Sequence, residues 1–570
     1  MLCKLQLFQS VNFLSLKLSR RLRKYILIKN LIHEAGFYSF LKLISFSTIN
    51  NFIDIFGIGL IIAVLFNKNP LDFAINVSII HIFLFLILLI VAKGFTKVFA
   101  SVESNEIQVG LEEELSLKFF SLALNASSEQ IQSIGRGKLI ALLEDDISTT
   151  IASLRYLIIG FQALTSFLIF TSGIFAVAGR ETAPLILAII TTIIAALLQR
   201  SKSYQLGKKE TKVNASIQQT ITDSLCNIKA VRAAQAEDWI LKRFTDEMMM
   251  SRTLSRQIIK RTSLFNALRD VLVMGILSVW IVATIENLAA PTITTTLLLA
   301  FKSSISFSSI INAQRLYLRF IPAYEELCIQ REKLLREDKH SNNDYLAMSP
   351  TTLSKKETLL SIHWGTNENH QNKNRSLKLH KGKLIAIVGP SGIGKTTTLD
   401  LFCGLSKEAK SIWYIQTTTD HYCYSGVFGA RQLKHFISYA PQNAVLFEAS
   451  LRQNLLISRK ENPDELYDWM HKLKLGHLLD RETGLDKPLK LAQSPFSGGE
   501  VQRLGLLRAW LRDQPIEVLD EPTAFLDKDT AEIVRTIISE RVKQKLVLLS
   551  THDPVLINQA DEVITLQSES

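Results

Sequence analysis

Gly389-Pro390-Ser391-Gly392-Ile393-Gly394-Lys395-Thr396 is the stretch that decides how this 570-residue chain is built. It fits the pattern G-x-x-x-x-G-K-[ST] and stands between an apolar strand, Leu384–Val388, and a helix beginning near Lys395. Glycines at these positions let backbone N–H groups turn inward around phosphate oxygens, and the helix N-terminus adds its partial positive charge. Lys395 would reach the terminal phosphates, the Thr396 hydroxyl would ligate Mg²⁺, and Thr397 follows on the same first turn. A chance glycine-rich turn does not bring strand, lysine and threonine into register, so the stretch reads as a nucleoside triphosphate site.

Two elements downstream complete the pattern. Ile516-Glu517-Val518-Leu519-Asp520-Glu521 is a mostly apolar strand ending in two acids. Asp520, opposite the phosphate loop, would hold Mg²⁺ through water, and Glu521 would polarise the attacking water as a general base. His552 follows the apolar strand Leu546–Ser550 and would contact the γ-phosphate and orient that water. Alone, an acid or a histidine at a strand end says little; the order behind the phosphate loop gives both their weight. From about residue 357 onward short apolar strands alternate with helical stretches, which predicts a mainly parallel sheet with crossover helices. Glu517 is out of place in it, because a charge inside an apolar strand is costly unless it has a partner or lies near an edge.

The chain before residue 339 has a different solvent. Hydrophobic residues are 47% and charged residues 21% of the whole, an average that conceals a membrane-like first part and an ordinary second one. Apolar runs near 44–66, 74–93, 155–178, 183–199, 268–288 and 291–312 each approach the roughly 20 residues a helix needs to cross hydrocarbon. Short connections around 67–71, 179–184 and 286–291 join them in pairs. The long stretches at 94–154 and 200–267 keep helical spacing and carry most of the basic residues, which places them and the N-terminus in the cytoplasm. Interruptions at Gly135-Arg136-Gly137 and at 227–238 predict the elbows of helical hairpins.

Residues 1–43 form a basic segment with Lys17, Arg20, Arg21, Arg23, Lys24 and Lys29, expected as an amphipathic helix on the membrane surface rather than a cleaved signal. The formal net charge of +12 therefore points to anionic lipid and not to nucleic acid. The five cysteines include no C-x-x-C pair, so neither a disulfide framework nor a metal site is expected from them. The spans and their helical extensions run over 44–338. A polar, breaker-rich linker covers 339–356, and the nucleotide domain covers 357–570.

Phe496-Ser497-Gly498-Gly499-Glu500, running into a helical stretch through Arg512, makes the assignment specific. It resembles the signature motif of ABC transporters of the exporter type. Gln442 in Ala440-Pro441-Gln442-Asn443 resembles that family's Q-loop, and Asp527 in Ala524-Phe525-Leu526-Asp527 resembles its D-loop. Trp364 falls where the family keeps an aromatic residue that stacks on adenine. The resemblance implies a multidomain membrane protein: an all-α six-helix transmembrane domain followed by an α/β P-loop ATPase domain with a helical subdomain. It also implies a half-transporter that works as a homodimer or heterodimer and uses ATP and Mg²⁺. Ser497, Gly498 and Gly499 of one subunit would complete the phosphate site of the other, while Gln442 would link Mg²⁺ to the membrane hairpins. The expected location is the plasma membrane, the inner one in a bacterium. Phe496 and Glu500 depart from the usual Leu and Gln without removing a phosphate contact.

The cargo is less legible. Ionisable residues inside spans are functional candidates, and Asp54, His81, Lys93 and Lys302 qualify. Lys302 would suit an anionic head group, unless it pairs with Asp54 or snorkels to an interface. Residues 52–60 resemble the first span of exporters that flip lipid-linked oligosaccharides, so an amphipathic anion of that kind is one expectation, and peptides or hydrophobic drugs are another. Two readings of other classes, a soluble ATPase acting on nucleic acid and an ATP-binding membrane regulator without transport, sit poorly with six apolar spans and with an intact Lys395 and Glu521.

Overall fold

Helices fill the first half of the chain, and they break where the sequence interrupts helical backbone. The computed structural model describes residues 20–66, 79–126, 128–179, 183–284, 288–335, 359–364, 375–380, 382–405, 412–416, 421–425, 436–457, 463–479, 484–489 and 496–566. The chain divides into two compact units. One is built from residues up to Glu332, and the other from Lys333 onward together with Ala126–Gln130. The expected linker at 339–356, the short connection around 67–71 and residues 1–19 of the basic N-terminal stretch lie outside the described residues.

Up to residue 335 the helices are α1 (Arg20–Glu34), α2 (Phe37–Leu65), α3 (Ile79–Leu124), α4 (Ser128–Ile134), α5 (Arg136–Ala141), α6 (Ile147–Ala178), α7 (Ala183–Cys226), α8 (Ile228–Ala233), α9 (Glu237–Thr284) and α10 (Ala290–Leu335). Among the described residues, five of these helices are long and apolar enough to cross a membrane, and the span expected at 183–199 falls on the start of α7. Large apolar side chains on α3 face outward, Phe83 and Leu88 among them, as suits a helix whose solvent is hydrocarbon. Both expected elbows are present. Gly135, at φ +89°, separates α4 from α5, and Cys226–Glu237 breaks into the short α8 before α9 begins. Between α5 and α6 the helix loosens into a π-helical turn, Leu142–Asp146, which the sequence reading did not anticipate.

The N-terminal segment needs a correction. The apolar side of α1 is turned to protein: Leu27 and Leu31 are buried, and Glu34 accepts from the Tyr324 hydroxyl at 2.9 Å and from Arg331 at 3.0 Å. Leu27 and Leu31 are thus packed on protein and not laid on a lipid surface. Deeper in the unit, Phe170 and Ile174 of α6, Trp280 of α9 and Leu299 and Ala300 of α10 form one apolar cluster, joined by Ile55 and Ile58 of α2.

The second unit holds two sheets. β3 (Leu384–Val388), β6 (Ile437–Ala440), β7 (Ile516–Asp520), β8 (Leu546–Ser550) and β9 (Glu562–Thr565) form a wholly parallel sheet in the order β6-β7-β8-β3-β9. A separate antiparallel sheet of β1 (Leu359–Trp364), β2 (Arg375–His380), β4 (Ile412–Gln416) and β5 (His421–Ser425) runs in the order β2-β1-β4-β5; it was not read from the sequence. Helix α11 (Lys395–Phe402) follows β3. A mainly helical segment lies between β6 and β7: α12 (Leu451–Leu455), α13 (Pro463–Lys472) and α14 (Gly498–Leu511). Helix α15 (Lys528–Val542) precedes β8 and α16 (Pro554–Gln559) precedes β9. One core cluster joins Leu504, Leu507 and Trp510 of α14 to Leu519, Leu549 and Val534. The cluster around Ile385, Phe402, Val518 and Leu548 covers α11.

Glu517 has its partners. It is 1% exposed, and its carboxylate receives the Arg541 Nε at 2.8 Å and the Lys545 Nζ at 2.9 Å. Its charge is compensated by the end of α15 and the residue before β8, as a buried carboxylate requires.

Candidate functional site

In the parallel sheet β8 lies between β7 and β3, so the carboxyl ends of all three strands come together, the place where ligands sit in open α/β sheets. The register aligns Ser550 with both Asp520 and Ile387. The phosphate loop leaves β3 just beyond that line. Gly394 caps α11 at φ +99°, a conformation that a side chain would strain.

Lys395 reaches back over the loop. Its Nζ donates to the Gly389 carbonyl at 3.0 Å, lies 2.7 Å from His552 Nε2, and is 4.0 Å from Glu521 Oε1. The Thr396 hydroxyl donates to Asp520 Oδ2 at 2.9 Å, and the other oxygen of this buried carboxylate accepts from the Ser550 hydroxyl. Glu521 stands at φ +49°, held there by its backbone N–H donating to the Ser550 carbonyl at 3.1 Å. Its carboxylate accepts from the His552 N–H at 3.3 Å, and the imidazole Nε2 is 3.6 Å away. A non-glycine residue held in the left-handed region beside these charged groups is the kind of local strain that concentrates at functional sites.

Lys395, Thr396, Asp520, Glu521 and His552 line one cleft of about 780 Å³, which also takes in Ser391, Gly392, Gly394, Thr397 and Gln442. The hydroxyl and carboxylate pair of Thr396 and Asp520 is an all-oxygen donor set that suits a hard cation such as Mg²⁺. Among the described residues no group of three or more His, Cys, Asp or Glu side chains could hold a metal. An ion here would therefore complete its shell with phosphate oxygens and water.

Other expected residues lie elsewhere. Ile393 packs beneath the loop against the core. Ser497, Gly498, Gly499 and Asp527 do not line the cleft. Ser497 caps α14, accepting from the Glu500 N–H at 3.3 Å while Glu500 accepts from the Ser497 N–H at 2.7 Å. That reciprocal box explains why Glu is accommodated in place of Gln: at the third helical position it closes a capping box and faces His477 Nε2 at 2.6 Å. Asp527 caps α15, and the Thr530 backbone N–H, then its hydroxyl, hold the Asp527 carboxyl below the usual range. Trp364 closes β1, and its side chain lies outside the described residues.

Sequence reasoning missed one residue beneath the cleft and one along its wall. Ser550 bridges Asp520 and Glu521, and its only signal was a small polar residue ending an apolar strand just before His552. Arg535, from α15, bonds Asp553 at 2.8 Å along the cleft wall. Burial pushes Asp553 up, but Arg535 and the Val555 N–H outweigh it and leave the carboxyl below its ordinary value.

The ABC transporter model matches residues 372–524, and the ABC transporter transmembrane region matches residues 40–309. A glutathione/L-cysteine transport system ATP-binding/permease protein of Haemophilus influenzae is 32% identical over 199 residues, 34% of each chain. An ATP-dependent lipid A-core flippase of Vibrio parahaemolyticus is 31% identical over 196 residues, 34% of this chain and 32% of its own. The chain thus spans about a third of the length of these curated relatives. A bacterial Atm1-family ABC exporter with ATP bound shares the fold, with a TM-score of 0.70 over 94% of both chains at 15% identity. With both models matched in succession and apolar helices beneath the first, this is a membrane protein of the ABC transporter family, carrying that family's transmembrane region and its ATP-binding domain in one polypeptide.

Proposed function

We propose that the chain is one half of an ATP-driven exporter or flippase, with the membrane domain at 44–338, the linker at 339–356 and the ATP-binding domain at 357–570. The observation that carries this reading is the convergence of Lys395, Thr396, Asp520, Glu521, His552 and Gln442 on a single cleft at the carboxyl edge of the parallel sheet. In that cleft the loop from Gly389 through Pro390, Ser391, Gly392, Ile393 and Gly394 to Thr397 cradles the phosphates of ATP, and Lys395 neutralises their terminal charge. Trp364 stacks on the adenine. Mg²⁺, held by Thr396 and Asp520 with Gln442, would offset charge on the β- and γ-phosphates. Glu521 takes the proton of the attacking water, and His552 orients that water against the γ-phosphate. Ser550 keeps both acids in place.

Ser497, Gly498, Gly499 and Asp527 stand off this cleft, which supports the reading that they serve the nucleotide of a second subunit. One chain carries every residue of both half-sites, so a homodimer suffices and a heterodimer is the variant to test. Closure of two such domains on ATP, and their release after hydrolysis, would rock the helices between inward- and outward-facing states. The N-terminus and ATP-binding domain are cytoplasmic in this arrangement, in the plasma membrane. The named activities of the relatives, a lipid A-core flippase and a glutathione/L-cysteine transport system, are compatible with an amphipathic anion such as a lipid-linked saccharide as cargo, with peptides or hydrophobic drugs as the alternative.

Replacing Glu521 with Gln tests the role directly. Removal of a general base lowers turnover by roughly a hundredfold or more, while ATP binding persists. Hydrolysis at the unchanged rate in reconstituted protein would remove Glu521 from the mechanism.

A further inference from the structure

Three ionisable side chains meet inside the first unit, away from the nucleotide cleft. Asp54 comes from α2, Lys93 from α3 and Lys302 from α10. The Lys93 ammonium bonds Asp54 Oδ1 closely, and the Lys302 Nζ lies 3.5 Å from Asp54 Oδ2. Lys302 therefore is the more loosely held of the two. The Asp54 side chain is 16% exposed, against 38% for Lys93 and 42% for Lys302.

One carboxylate neutralises one ammonium, so among the described residues the cluster carries a net positive charge. Snorkelling does not relieve it. Lys302 is the thirteenth residue of α10, about 18 Å along the helix at 1.5 Å per residue, close to the middle of a layer about 30 Å thick. A charge at that depth needs a counter-ion. A second observation points the same way. Asn51, on the Asp54 side of α2 and one turn before it, is 7% exposed, and its amide nitrogen has no hydrogen-bond partner. Polar pairs flank these groups: Thr96 donates to Asn50 at 3.3 Å, and the Thr171 and Ser303 hydroxyls lie 3.0 Å apart. One turn onward along α2 and one turn back along α10 lies the apolar cluster of Ile55, Ile58, Phe170 and Leu299.

Resting on the export reading above, we infer that Lys302 and Lys93 form an intramembrane site for the single anionic head of an amphiphile, with Asp54 as the resident counter-ion that keeps one of the two charges compensated. The head, a phosphate or carboxylate, pairs with the ammonium that Asp54 leaves uncompensated. The tail lies along the adjoining apolar wall. Asp54 keeps the two lysines from repelling each other when no ligand is present.

The test uses the full chain in nanodiscs of uncharged lipid without nucleotide, so its outcome is independent of the Glu521 experiment. Dodecyl phosphate, below its micellar threshold, is the probe, and binding is read from the ligand-dependent rise in unfolding temperature. Dodecyl phosphate should bind wild type, dodecyltrimethylammonium should not, and inorganic phosphate should bind at least about tenfold more weakly, since it lacks the tail. Lys302→Gln should weaken the probe about tenfold, the scale of one charge-assisted contact, whereas Lys302→Arg retains it. Asp54→Asn should tighten binding, because it releases both lysines. A merely structural ion pair predicts the opposite: Asp54→Asn would lower the ligand-free unfolding temperature and leave affinity where it was. Equal binding of the cationic amphiphile to wild type overturns the proposal without any variant. Inorganic phosphate binding as well as dodecyl phosphate overturns the amphiphile assignment.

Discussion

The buried carboxylate of Glu517 offers the sharpest test of how the ATP-binding unit is held together. Glu517 accepts from Arg541 Nε at 2.8 Å and from Lys545 Nζ at 2.9 Å, while Lys545 also reaches Asp513 at 2.7 Å and Arg541 donates to the Trp510 carbonyl at 3.1 Å. Two cations thus face two carboxylates, and the group ties the start of β7 to the ends of α14 and α15. Arg541→Met removes the cation with the most contacts. Stranding one partner of a buried pair costs about 3–5 kcal/mol, and Lys545 remains to hold the figure near the lower bound. For a unit of this size, about 3 kcal/mol corresponds to a fall in Tm of roughly 6–12 °C. The double variant Glu517→Leu with Arg541→Met removes both charges and should recover most of that loss, because apolar replacements of buried pairs are often close to neutral. Scanning calorimetry of the full chain reads both, following the transition that ATP raises. A double variant as unstable as Arg541→Met would show that packing or the Trp510 contact dominates, not charge, and would refute the reasoning.

His552→Ala should lower the rate of ATP hydrolysis roughly 10- to 100-fold, the equivalent of one charge-assisted hydrogen bond, with little change in the KM for ATP; a change in KM alone would make it a binding residue. Gly207→Ala should cut the yield of folded protein, since an added Cβ would stand 1.9 Å from the Arg319 carbonyl where α7 crosses α10; wild-type yield and Tm would mean that the helices separate readily. The lowered pKa of Asp553 stabilises the fold above the carboxylate's unfolded value, near 4, and that contribution is lost as pH falls through the lower folded value. Asp553→Asn should therefore flatten the decline in Tm below about pH 4, and an unchanged slope would contradict it.

The nucleotide end was legible because its chemistry is local. Gly389 to Thr396 is a continuous stretch, and Asp520, Glu521 and His552 stand at or just past the end of an apolar strand, so strand order brings them together. What escaped notice there depends on neighbours far along the chain. Ser550 is an unremarkable strand end until β8 is set beside β7, and Glu517 is an anomaly until Arg541 and Lys545, more than twenty residues later, fold back onto it. The antiparallel sheet escaped for another reason: β1, β2, β4 and β5 are short, and polar residues such as Ser361, Lys378 and Tyr422 blur the alternation that marks a strand. In the membrane unit the limit lies deeper. Hydropathy reports how long a helix is and that hydrocarbon surrounds it, but it carries no information about which faces meet. Asp54 and Lys302 are 248 residues apart, and whether they compensate each other, compete for a third charge or face lipid is decided wholly by packing. The structure adds Lys93 to that pair and turns a candidate two-charge bridge into a three-charge cluster with one positive charge left over. The arithmetic of one carboxylate against two ammoniums, invisible while each residue was read alone, is what gives the membrane unit a chemical preference that can be measured.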